Sequence, residues 1–151
     1  MKFRTLVSKL QYLLLIAIMI LGGSACKKSS PSTTATMSAT INGKALNFTV
    51  TLSSSNGYTV VTGAGSYTIT LVLRTLGAGT YTLADQSTGY YATVTDSFGN
   101  SYSTDIANTG QLTLTASGIR YNGTFYFTAN ETSPTKGGAN VTVTNGSCTN
   151  I

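Results

Sequence analysis

The stretch SYTITLVLR, Ser66 to Arg74, decides the fold: Tyr67, Ile69, Leu71 and Leu73 occupy every second position while Thr68, Thr70 and Arg74 take the positions between. Successive side chains of a β-strand point to opposite faces of its sheet, so this period of two describes a half-buried antiparallel strand. Working outward, similar alternation runs through Ser38 to Asn42, Ala45 to Leu52, Tyr58 to Thr62, Thr80 to Leu83, Tyr90 to Thr95, Gln111 to Ala116, Ile119 to Thr128 and Asn140 to Thr144. Between these runs stand Asn42-Gly43, Asn56-Gly57, Gly77-Ala78-Gly79, Gly99-Asn100, Gly110, Gly118, Gly137-Gly138 and Asn145-Gly146. Asparagine and glycine reach positive φ cheaply and therefore close hairpins. After the N-terminal segment no window carries a 3.6-residue apolar stripe, and the abundance of β-branched threonine favours strands. The expected fold is all-β: a single antiparallel β-sandwich, or a small barrel, of about 8–10 strands over residues 37–151, following an N-terminal signal helix.

The first residues, MKFRTLVSKLQYLLLIAIMILGGSAC, are of another kind. Lys2, Arg4 and Lys9 precede an unbroken apolar run from Tyr12 to Leu21. That run fits the hydrophobic region of a signal peptide and falls short of the roughly 20 residues a bilayer-crossing helix needs. The small residues Gly22 to Ala25 and then Cys26 resemble the lipobox of bacterial lipoproteins. The resemblance implies a signal peptide over 1–25, cleavage between Ala25 and Cys26, and a diacylglyceryl anchor on the Cys26 thiol. Gly23 departs from the leucine usual three residues before the cysteine, which keeps ordinary cleavage without lipid open as an alternative. The segment after Cys26, KKSSPSTTAT, has no periodicity and no large apolar residue, so 26–36 reads as a flexible tether spanning about 17 Å root-mean-square.

A second resemblance covers nearly the whole of 37–151. The segments MSATINGKALNF (Met37 to Phe48), GTYTLAD (Gly79 to Asp85), YNGTFYFTA (Tyr121 to Ala129) and VTVTNGSC (Val141 to Cys148) are similar to a group of small Bacteroidota lipoproteins of unknown function. Cys148 stands where that group has a phenylalanine and Phe48 where it often has a tryptophan. The resemblance implies a strand-rich domain and an envelope location, and it brings no activity.

Composition narrows the function classes. Three of the nine basic residues lie in the signal peptide, and from Cys26 onward six bases face four acids, a net charge of +2 that offers no nucleic-acid surface. Beside the anchor that the resemblance implies, Lys27 and Lys28 are expected to touch anionic headgroups, at about 1 kcal/mol each. Surface lipoproteins of Bacteroidota tend to be acidic just after the cysteine, so these lysines favour the periplasmic face of the outer membrane. The chain has no histidine, which removes Ser-His-Asp, Cys-His and histidine-zinc chemistry. Cys148, without a base to activate it, reads as a small core residue. No cofactor is expected.

Two sets of residues remain as candidates for binding. DSFGNSYSTD places Asp96, Asn100 and Asp105 on one loop, oxygen donors of the type calcium takes, although their spacing fits no calcium-loop pattern and Asp96 also suits a hairpin turn. Tyr90, Tyr91 and Tyr126 are the candidate ligand contacts, because the apolar face of a sugar ring stacks on exposed aromatics. Tyr90 and Tyr91 must face opposite ways, and Tyr126 faces away from Phe125 and Phe127. The competing role for such tyrosines is cross-strand pairing, at roughly 0.2–1 kcal/mol per pair. The expectation is a non-enzymatic cell-envelope lipoprotein acting as a structural or interaction module, the alternative a glycan-binding accessory lipoprotein, its partners the membrane through Cys26 and an envelope protein or glycan.

Overall fold

The computed structural model describes residues 34–104, 110–132 and 139–151. The signal peptide over 1–25, Cys26, the tether before Thr34, Asp105 and the Gly137-Gly138 turn lie outside them. The described chain forms β1 (Thr36–Ile41), β2 (Lys44–Ser55), β3 (Tyr58–Ala64), β4 (Thr68–Leu73), β5 (Gly79–Leu83), β6 (Tyr90–Thr95), β7 (Ser101–Ser103), β8 (Gly110–Ser117), β9 (Arg120–Glu131) and β10 (Asn140–Thr149), with one 3-10 turn over Gln86–Thr88.

Every pairing is antiparallel, and eight strands run β1-β2-β3-β4-β6-β7-β9-β10 and close where β10 returns to β1. Strand β9 is shared. Its residues Arg120 to Phe127 pair with β8, which carries β5 on its far side, and Asn130 and Glu131 pair with β7. The architecture is thus the small barrel of the two alternatives. Closing the wall satisfies the backbone groups that an open sheet would leave at its edges.

An eight-stranded barrel has an interior just wide enough for side chains to fill, and alternation delivers them. Ile41, Val61, Ile69, Leu71, Leu73, Leu83, Val94, Leu112, Phe127 and Val143 are all fully buried, drawn from strands around the whole wall. In β4 the three inward residues of the TITLVL run are sealed, as their spacing predicts. Val72 points outward yet is only 7% exposed, because Val60 and Tyr91 flank it in register on the neighbouring strands.

The turns follow the sequence in most places. Asn42-Gly43 and Asn56-Gly57 both take positive φ (47° and 84°, 51° and 81°), the two-residue hairpin geometry that matches strand twist. Three local expectations change. Ile119 is not the start of a strand but the tip of the β8–β9 hairpin, 95% exposed beside Gly118 at φ 64°. Ser101–Ser103 forms a short strand with no sequence pattern of its own.

Asn145-Gly146 is not a turn ending the last strand. It is a bulge inside β10: Val143 pairs with Phe127 and Gly146 with Phe125, so Thr144 and Asn145 together oppose Tyr126. Asn145 adopts φ 50°, which asparagine tolerates better than other side chains. The extra residue shifts the phase of alternation, so that Val141 and Val143 face inward before it and Gly146 and Cys148 after it. Gly146 lies against the Phe125 ring, where any β-carbon would collide.

Candidate functional site

The candidate residues are distributed around the barrel. Tyr90 faces the interior and stacks on Tyr81, ring centroids 4.9 Å apart and planes 23° from parallel. The Tyr81 hydroxyl donates to the Gly77 carbonyl at 2.9 Å, tying the β4–β5 loop to this stack. Burial, with the neighbouring Tyr90 and Tyr121 phenols, pushes the Tyr81 hydroxyl pKa up. Tyr90 is therefore engaged in packing, the role that competes with ligand contact for these tyrosines. Its neighbour Tyr91 faces outward but lies half-buried beside Val72.

Tyr126 is different. It stands on the outer face of β9, 53% exposed, while Phe125 and Phe127 beside it are sealed in the core. Phe98 and Ile119 are the other large exposed apolar side chains among the described residues, and both sit at hairpin tips. Tyr126 alone of the three is held by a strand with partners on both sides. Tyr91 and Tyr126 belong to strands separated by β7 in the wall order, so they do not build one platform.

The Asp96 loop is organised from within. One carboxylate oxygen of Asp96 accepts from the Phe98 and Asn100 backbone N–H groups, each at 2.9 Å. The other accepts from the Asn100 side-chain amide at 2.8 Å and from the Tyr102 hydroxyl at 3.4 Å. Desolvation works to raise the Asp96 pKa, but these donors outweigh it and hold the carboxyl below its ordinary value. A carboxylate so engaged is a turn-former. Asn100 and Asp96 meet as donor and acceptor, the arrangement of the hairpin-turn reading. Among the described residues no three histidine, cysteine, aspartate or glutamate side chains come together as a metal-binding group.

Other polar residues are also committed to structure. Asp85 caps the 3-10 turn by accepting from Ser87 N–H at 2.6 Å. Cys148 is 1% exposed, and burial pushes its thiol up to about 11, so the reactive thiolate is suppressed. Thr104, which carries no signal in the sequence, is buried where β5, β6 and β7 meet. Its hydroxyl donates to Ala84 C=O at 2.7 Å and accepts from Ala92 N–H at 3.1 Å, and its own N–H donates to Ala92 C=O. Nothing in the sequence distinguishes this threonine from the many exposed ones.

The outer wall of β8, β9, β10, β1 and β2 carries three shallow grooves of about 500, 280 and 300 Å³. The largest lies along the bulge and includes Tyr126, Thr124, Thr144, Asn145 and Ser147. It shares Thr124 and Ser147 with the second groove and Asn145 with the third. None of the lining residues is an acid or a base. Tyr126 was legible from alternation, whereas Asn145 was read as a turn. The signal that marks it is the slip in phase between Val143 and Cys148.

No curated protein and no solved structure matches this chain. A family model described as a domain of unknown function (DUF6252) matches residues 33–151, which take in every strand of the barrel, and the chain belongs to that family.

Proposed function

We propose that this protein is a non-enzymatic cell-envelope lipoprotein of Bacteroidota type, anchored through Cys26 to the periplasmic face of the outer membrane, with its barrel serving as an interaction module. The observation that carries this reading is the division of labour in the barrel: a closed interior filled with apolar side chains, and the polar groups Asp85, Asp96 and Thr104 spent on turns and strand junctions. A wall so built offers its outer surface to partners. The lipobox-like GGSAC and the absence of histidine give independent support from the sequence.

The test is metabolic labelling of cells expressing the full chain with a palmitate analogue, beside a Cys26→Ala control. Label on the mature band that vanishes in the control is the expected result. An unlabelled but correctly cleaved and soluble product would contradict the anchor. Protease added to intact cells then separates the two membrane faces, with protection expected.

The second reading, a glycan-binding accessory lipoprotein, is favoured by one observation: Tyr126 presents an exposed aromatic face from a rigid strand beside a hydroxyl-rich groove.

A further inference from the structure

The β10 bulge and Tyr126 together make a feature that neither makes alone. Because Thr144 and Asn145 both oppose Tyr126, the bulge opens the outer wall beside the tyrosine ring and adds an exposed amide at its flank. The neighbouring asparagine side chains brace backbone: Asn42 Oδ1 accepts from Thr142 N–H and Asn122 Oδ1 from Asn150 N–H. Asn145 has no such partner among the described residues. An amide offers both a donor and an acceptor, the pair that matches adjacent sugar hydroxyls. The Ser147 hydroxyl, at 2.9 Å from that of Ser38, lies along the same groove.

We propose that the groove at the bulge is a binding site for a neutral polysaccharide chain, with the Tyr126 ring stacking on one sugar and the Asn145 amide bonding its hydroxyls. This rests on the glycan-binding reading and gives it an address. The lack of acids and bases in the three adjoining grooves selects for an uncharged glycan, since an acidic one would find no counter-charge there. Lying side by side across five strands, about 19 Å at the usual strand spacing, they suit a chain and not a single sugar. Bulges aim side chains at ligands in just this way, by breaking the ladder locally.

The experiment is native gel electrophoresis of the full-length protein, purified in detergent, through gels containing xyloglucan, galactomannan, mixed-linkage β-glucan or amylopectin, with polygalacturonate as the acidic comparison. Retardation by at least one neutral polymer and not by polygalacturonate is expected. Tyr126→Ala should weaken it by about tenfold, and Asn145→Gly, which keeps the positive φ, by roughly three- to tenfold. Thermal melts confirm that each variant is folded, and Asn145→Gly decides the matter if Tyr126→Ala is not. Retardation unchanged in both variants would overturn the bulge site while leaving the glycan reading standing on another face. No retardation by any neutral polymer would overturn both, and the palmitate result for Cys26 is independent of either.

Discussion

Among the described residues the barrel wall departs from a regular ladder at the junction of β5, β6 and β7 and within β10, and the two are built in opposite senses. At the junction of β5, β6 and β7 the ladder is incomplete, and the break is closed inward: Thr104 satisfies Ala84 and Ala92 from a buried position, and Tyr81 stacks on Tyr90. In β10 the break is turned outward. Asn145 is pushed into solvent opposite Tyr126, while Gly146 gives Phe125 the room to keep the interior sealed. The lesson is that an irregularity mended by buried hydrogen bonds serves the fold, while one whose polar groups remain unpaired on the surface serves as a candidate site. Stability and binding should therefore separate between the two places.

The largest stability effect is expected at the junction. Thr104→Val preserves shape but leaves the Ala84 carbonyl and the Ala92 N–H unpaired, at about 1–3 kcal/mol for each group. Thr104→Ser should recover most of that loss, and urea unfolding of both variants measures it. If the valine variant is as stable as the parent, the junction is not held by the hydroxyl.

At the bulge, Gly146→Val should destabilise by about 1–3 kcal/mol through collision with the Phe125 ring. Asn145→Gly should instead stay within about 0.5 kcal/mol, since it keeps the φ of 50° and removes only a solvent-facing amide. Equal losses from the two would mean that the bulge is structural on both sides.

The interior also makes a pH prediction. Burial raises the Cys148 pKa to about 11, so the native state holds a proton that the unfolded chain releases near its ordinary value. The stability from the neutral thiol is complete below about pH 8.5 and is lost as pH rises toward 11, by up to about 3 kcal/mol. Tyr81 and Tyr102, also raised mainly by burial, act in the same direction. Cys148→Val should shrink the alkaline decline without abolishing it, as measured by urea midpoints at pH 8 and 10.5. A decline of the same size in the variant would place the titration elsewhere. Tyr126→Ala is also expected to cost little stability, under about 1 kcal/mol, because its ring contributes only cross-strand contacts on an exposed face.

Much of this was legible in the residues. The alternation in SYTITLVLR placed Ile69, Leu71 and Leu73 in the core, and the Asn-Gly pairs at 42 and 56 marked hairpins, because both signals depend only on local backbone geometry. Asn145-Gly146 has the same dipeptide and a different role, since whether a chain with positive φ turns back or continues depends on the strands beside it. The distinguishing mark is non-local: β10 keeps pairing with β1 and β9 beyond the pair, carrying Cys148 into the core. Barrel and sandwich were likewise inseparable by sequence, because both ask for the same inward and outward alternation and differ only in whether β10 meets β9. Tyr126 was recoverable as an outward aromatic, but its groove required the bulge.

The most direct test of the claim that the outward irregularity is the binding place is a ¹⁵N-labelled NMR titration of the protein with whichever neutral polysaccharide retards it. Amide shifts are expected to concentrate on Tyr126, Thr144, Asn145 and Gly146, with Ala84, Ala92 and Thr104 unmoved. Shifts centred on Tyr91 and Val72, or spread evenly around the wall, would contradict that claim.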